Sequence, residues 1–281
     1  MRMSVKSALV TGAAVLSLSV MMAATTGCTK DDGVSADAST TDSTARAGWT
    51  LLWHDEFNGP SIDTGIWNFE VNGNGGGNNE LQYYTAEPRN AFIENGALVI
   101  QALKESYNGK AYTSARLNTD HKKDWLYGRV DVRAKLPYGR GMWPAIWMLP
   151  TDWVYGGWPA SGEIDIMELL GHEPTKIYGT IHWGVDAAHH QQSGTSLTLP
   201  SGASFAGGYH VFSLEWSADS LKWFLDDRRY FAQATFPPFD KRFHLLLNVA
   251  VGGNWPGNPD ASTIFPQVMQ VDYVRVYSKA Q

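Results

Sequence analysis

The chain of 281 residues contains one cysteine, Cys28. An internal disulfide is therefore excluded, and the fold must rest on packing. No acidic residue occurs before Asp31. The start, "MRMSVK" followed by "SALVTGAAVLSLSVMMAATTG", is basic, then small and apolar, with Ser, Thr and Gly interrupting the apolar run. Residues 1–27 therefore read as an export signal peptide rather than a membrane span. A basic excess is also missing. Without residues 1–27, which hold Arg2 and Lys6 but no acid, twenty cations face twenty-eight acids, and the net charge falls from −6 to about −8. That balance disfavours nucleic acid and anionic membrane as partners. "GNGGGNN" lacks the Gly-Lys-Ser/Thr and the following helix of a phosphate loop. "HEPTK" is not a zincin pattern, and "AHHQQ" is a loop His pair without a third ligand, so no catalytic metal is expected.

Cys28 sits among Ser, Thr and Asp, which cannot form a core. "ATTGC" resembles the lipobox of bacterial lipoproteins, with Thr25 where leucine is usual. The resemblance implies lipid attachment at Cys28 and a cell-envelope location, with plain secretion as the alternative. Residues 29–47 carry no aromatic side chain and little apolar bulk, so 28–47 is expected to be a flexible tether. The composition changes at Gly48, and all twelve tryptophans lie between Trp49 and Trp255. With neither an internal repeat nor a second linker, 48–281 reads as one domain.

No segment shows a sustained helical period; short alternating strands are present instead. "ALVIQALK" places Leu98, Ile100 and Ala102 on one face. "GRVDVRAKL" alternates Val130, Val132 and Ala134 with Asp131, Arg133 and Lys135. "YHVFSLEWS" and "SLKWFLDDRRYFA" read as a hairpin turning near Ala218–Asp219. "HLLLNVAVGG" and "QVDYVRVYS" add two more strands. Many short strands between Gly- and Pro-rich loops predict an all-β, two-sheet antiparallel sandwich.

The chemistry concentrates in "EIDIME", residues 163–168. Glu163 and Asp165 share a strand face, whereas Glu168 is out of phase with them. One extra residue, a β-bulge at Met167, would return Glu168 to that face while Ile164 and Ile166 enter the core. The Cα span from Glu163 to Glu168 would then be about 13 Å at about 3.3 Å per step. Glutamates leaning together across it would bring their carboxyl groups to about 5–6 Å, the separation of retaining glycosidases. Carboxyls that close do not ionise alike: one acts as acid, another as nucleophile. The bland alternative is a solvated strand face, which the upstream Trp158 argues against.

"WPASGEIDIMELLG" resembles the signature of glycoside hydrolase family 16, in its laminarinase (endo-β-1,3-glucanase) branch. The likeness extends over "LLWHDEFNG", "NNELQYYT", "GRVDVRAKLPYGRGMWPAIWMLP", "GTIHW", "YHVFSLEWS", "LLLNVAVGGNWPG" and "QVDYVRVY". It implies a β-jelly-roll sandwich with an open, concave substrate cleft. It also implies Glu163 as nucleophile, Glu168 as acid/base and Asp165 as their helper. Lichenase-type relatives lack the residue at Met167, which argues against a strict mixed-linkage lichenase. The implied activity is retaining endo-hydrolysis of β-1,3-glucan by a monomer without a catalytic cofactor. A non-catalytic glucan-binding module is the rival from another class; an enzyme of this fold acting on mixed-linkage glucan, agarose or carrageenan is the other.

Sugars need aromatic platforms and placed hydrogen bonders. Trp143, Ala145 and Trp147 share one face of "GMWPAIWMLP". The resemblance places Trp147 and Trp158 as platforms, and Trp255 lies in the loop "GGNWPG" where burial is harder. Arg116 resembles a residue that bonds glucose hydroxyls, with a surface ion pair as its plain alternative. Asn79 and Glu80 match a loop over the cleft, or are ordinary loop polarity. His182 reaches Asp165 or the sugar, or is a satisfied structural histidine. The family often holds a structural calcium away from the cleft, and Glu56, the Gly96 carbonyl and Asp272 are the mapped positions; ordinary surface residues would look the same.

Overall fold

The computed structural model describes residues 44–280. The expected signal peptide, Cys28 and most of the expected tether lie outside the described residues. Two eight-stranded sheets face each other across one core. One runs, in spatial order, Arg228–Ala234, Ser220–Leu225, His210–Trp216, Gly128–Lys135, Gln267–Lys279, Ala97–Ala102 and Ala91–Glu94, with Trp49–Asp55 also paired to Gln267–Lys279. The other runs Gln191–Thr198, Lys176–Trp183, Glu163–Leu169, Met142–Pro150, Phe243–Val251, Arg116–Asn118 and Asn68–Phe69, with Asp124–Trp125 also on Phe243–Val251. Every pairing in both sheets is antiparallel, as expected of a jelly-roll sandwich. Among the described residues no helix is long and apolar enough to cross a membrane.

Alternation sets the layers. Leu98, Ile100 and Ala102 are fully buried, as are Val132 and Ala134, and they meet Ile164, Ile166 and Leu169 of the opposite sheet in one hydrophobic cluster. Burying a Leu or Ile contributes roughly 1.5–3 kcal/mol, so this shared layer is what holds the two sheets face to face. The hairpin near Ala218–Asp219 is present, with Trp216 opposite Leu221. "SLKWFLDDRRYFA" is not one strand, however. It breaks at Asp226–Asp227, whose φ values of 48° and 62° form a two-residue turn that pairs Leu225 with Arg228. Two positive φ values suit a type I′ turn, and Asp tolerates that region better than most residues.

The folded body also begins earlier than Gly48. Arg46 forms ion pairs with Asp131 and Asp227, and Tyr277 Oη donates to the Thr44 carbonyl. Residues 44–47 are thus part of the domain, fastened where Arg46 joins Arg129 on Asp131 and Asp227.

The calcium positions assemble differently from expectation. Gly96, with φ 72°, follows Asn95 in a tight turn between Ala91–Glu94 and Ala97–Ala102. Arg275 donates to both Glu56 oxygens at 2.8 and 2.7 Å, and this pairing holds the Glu56 carboxyl below its usual range against the opposing effect of burial. Arg133 donates to Asp272 at 2.7 Å. Both carboxylates already carry a cation, so as arranged here these residues do not fit a hard-cation cage.

Candidate active site

Glu163–Leu169 lies between Met142–Pro150 and Lys176–Trp183, and both pairings slip along it. Asp165 faces Thr180, yet Glu168 faces Tyr178, so Ile166 and Met167 together oppose Gly179. On the other side Met167 faces Ile146 and Asp165 faces Trp147, leaving Ile166 as the extra residue. A bulge is present as expected, but against Met142–Pro150 the residue left over is Ile166 rather than Met167. Ile166 and Met167 are both buried in the core, so Glu163, Asp165 and Glu168 all come to the opposite face. Glu163 is opposite His182 and Glu168 is opposite Tyr178, four residues apart on an unbroken strand.

A bulge frees backbone carbonyls, and a side chain from the other sheet satisfies one of them. Trp223, fully buried, donates its indole N–H to the Asp165 carbonyl at 2.8 Å. Gly179 leaves room for that indole, since a Cβ there would come within 2.7 Å of Trp223. Nothing in "EIDIME" announces Trp223; its partner lies 58 residues away.

The face opens into a cleft of about 1070 Å³. Two indoles hold the two glutamates. Trp158 Nε1 donates to Glu163 at 2.5 Å, and Trp143 Nε1 donates to Glu168 at 2.9 Å. Asp165, 2 % exposed, has its Oδ2 at 3.0 Å from His182 Nε2. Glu163, Asp165 and His182 bring polar atoms within 4.8 Å of one another. Burial raises all three carboxyls. Glu163 is pushed up to about 8 by burial and then by Asp165, while His182 and the Trp158 N–H favour its anion. Asp165 is pushed up to about 7 by burial. Glu168 stands well above its usual range, through burial first and then repulsion from Asp165 and Glu163.

Trp147 donates to Asn248 at 2.7 Å and lines the cleft, with the Arg116 guanidinium 5.2 Å from its ring centre. Trp255, 41 % exposed, meets Trp143 at 5.7 Å and Tyr178 at 4.8 Å. Arg116 is nearly buried between Glu70 and Glu80, each at 3.6 Å, and over Tyr84. It lines the cleft but is no mere surface ion pair. Glu80 is 4 % exposed, and its carboxylate accepts from Gln82 at 2.6 Å and Tyr84 at 3.2 Å. Those bonds leave it shaping Arg116 more than addressing a sugar. Asn79 takes a left-handed turn with φ 58° and bonds Asn254 at 2.9 Å; its neighbour Asn78 is the residue on the cleft wall.

The sequence groups Trp143 with Trp147 on one face without singling it out, although its even, four-residue spacing from Trp147 is the available signal. It also leaves His190 in an unassigned loop. "AHHQQ" is only partly loop: Gln191 opens the edge strand Gln191–Thr198, and His190 turns into the cleft.

The family model for glycosyl hydrolases family 16 matches residues 77–275. The chain belongs to that family. It is 45% identical to glucan endo-1,3-beta-glucosidase A1 of Niallia circulans, over 84% of this chain and 39% of that protein. The Niallia protein is thus far longer than this chain. The beta-glucanase of Rhodothermus marinus is also 45% identical, over 82% of this chain and 85% of its own length. Among solved structures, the laminarinase catalytic domain of Thermotoga maritima superposes with a TM-score of 0.77 at 45% identity, covering 83% of this chain and 99% of that one. Family members thus share the jelly-roll frame on which the bulged strand sits.

Proposed function

We propose that the chain is a retaining endo-β-1,3-glucanase acting on laminarin-type β-glucans. The bulge carries the reading, because it alone brings three carboxyls of one strand to the wall of a family 16 cleft. Glu163 attacks the anomeric carbon as Glu168 protonates the departing glycosidic oxygen. A covalent glycosyl-enzyme forms, and Glu168, now a base, draws a proton from water that releases the sugar with retained configuration. The electrostatics support this division of labour. Burial and repulsion from Asp165 and Glu163 favour the protonated form of Glu168, which suits an acid. Burial and Asp165 raise Glu163 as well, but His182 and Trp158 beside it act the other way, towards the anion that attacks. Asp165 lies between Glu163 and His182 and ties their charges together. The carboxyls supply nucleophile, acid and base, so no cofactor enters the chemistry. Trp147, Trp158 and Trp255 offer apolar faces to glucosyl units, and Arg116 offers donors.

Glu163→Gln is expected to lower kcat on laminarin by at least about 10³-fold, since the nucleophile is lost while the fold remains. Hydrolysis at the wild-type rate would overturn the assignment. Sizing the products from laminarin, lichenan, curdlan and agarose separates β-1,3-glucan preference from the other substrates. Export and lipid attachment through Cys28 complete the proposal, supported by the pattern of residues 1–28. Metabolic labelling with palmitate should mark the wild type and not Cys28→Ser; an unlabelled wild type leaves secretion as the route.

A further inference from the structure

The ionised form of Glu163 depends on few groups, and His182 is the cationic one. His182 in turn has a partner. Its Nδ1 lies 2.8 Å from Nε2 of His190. The two rings are 5.0 Å apart at 18°, the geometry of an in-plane N–H···N bond between imidazole edges. His190 is braced on its other side by Trp158, 5.0 Å away, the same indole that donates to Glu163. Glu163, Asp165, His182, His190 and Trp158 therefore close a ring of contacts around the proposed nucleophile. The loop is built to deliver His190. Asp186 caps the short turn Ala187–His189 by accepting from the Ala188 and His189 amides, each at 2.9 Å. Gly184, with φ 143°, lets the loop return so closely that a Cβ would lie 2.4 Å from the His189 carbonyl.

We propose that His190 is a positioning residue for hydrolysis: by bonding Nδ1 of His182 it keeps the proton of that ring on Nε2, 3.0 Å from the otherwise unpartnered Oδ2 of Asp165. One proton fits between the two imidazoles. When His182 is neutral, His190 donates and the Nε2–H of His182 faces Asp165. When His182 is cationic, Nδ1–H donates to a neutral His190, and Nε2–H still faces Asp165. Both states keep a donor against the carboxylates. Burial and the neighbouring His182 favour the neutral form of His190. Without His190, Nδ1 is free to take the proton in the neutral ring. A lone pair at Nε2 then opposes Asp165, and the proton retained by the Glu163–Asp165 pair becomes harder to remove. The titratable groups around this point are His182, Asp165, Glu163 and, further along the strand, Glu168; on its own loop Asp186 is engaged by His189.

The inference rests on the hydrolytic reading, and its test has an arm that does not. In kcat/KM against pH, His190→Ala should move the acidic limb upward by about 0.5–1 unit, so that activity below the limb falls about three- to tenfold with KM little changed. His190→Gln, whose amide can donate through Nε2–H to a neutral His182 and accept through Oε1 from a cationic one, should restore most of the shift. A uniform loss at every pH with an unmoved limb, or no change at all, overturns the proposal. In parallel, ¹⁵N spectra of the imidazoles in the full chain should show His182 held in one bonded arrangement in the wild type and exchanging tautomers in His190→Ala. Identical His182 spectra in the two proteins overturn the proposal whatever the activity. A wild type that shows the bonded pair but leaves laminarin intact overturns the hydrolytic reading instead.

Discussion

The strands Gly128–Lys135 and Glu163–Leu169 look alike in sequence, each alternating apolar and charged residues, and they use their charges in opposite ways. On the first, Arg129 is 1 % exposed and donates to Asp131 at 2.6 Å, Glu215 at 2.8 Å, Asp227 at 2.7 Å and Ser213 at 3.1 Å. Arg46 closes the set. Positive and negative groups meet there, and the network fastens the N-terminal segment to the sheet. On the second strand three carboxyls share a wall with one imidazole and two indole N–H groups. The charge is left unbalanced, and burial then drives the carboxyls towards their protonated forms. A buried charged face is structural when each charge meets an opposite one and reactive when like charges are left side by side.

The sharpest way to break the comparison is to unbalance the first strand. Arg129→Met keeps the volume but strips Asp131 and its neighbours of their main cation, and should cost about 3–5 kcal/mol in denaturant unfolding. A loss below about 1 kcal/mol would mean that the network is only a surface arrangement. Next comes the support of the bulge. Trp223→Phe leaves the Asp165 carbonyl without its donor and should cost about 1–3 kcal/mol, and kcat should fall along with stability because the register of the carboxyls loosens. The smallest effect has the opposite sign. Glu168→Gln abolishes activity yet should raise stability by about 1 kcal/mol near pH 8, since a carboxyl with a raised native pKa is a destabilising one above its ordinary range. The native state holds that proton where the unfolded chain does not, so wild-type stability falls as pH rises from the ordinary carboxyl range through the raised one. The gain should therefore shrink towards pH 4, where both states are protonated. A Glu168→Gln protein less stable than wild type at both pH values would show that the acid is not strained.

Much of the frame was legible because period-2 alternation reports which face a residue takes. Leu98, Ile100 and Ala102 are in the core for that reason, and so is the phase slip that sends Glu168 back to Asp165. The turn at Asp226–Asp227 was missed because an acidic pair inside an alternating run resembles exposed strand; only the two left-handed backbone angles mark it. Glu80 looked like a loop acid because burial by Gln82, Tyr84 and Arg116 brings together separate strands and loops.

By itself the amino-acid order determined the layer pattern, the three acids on one wall and their membership in a sugar-cleaving family. These follow from local geometry, in which neighbours along a strand alternate and one inserted residue reverses the phase. Only the tertiary structure decided which partners those acids meet. Trp223 beneath the bulge, Trp143 on Glu168 and His190 behind His182 all depend on long-range contacts or loop closure. No spacing rule reports such contacts, because they are set by how the two sheets pack and where the loops return.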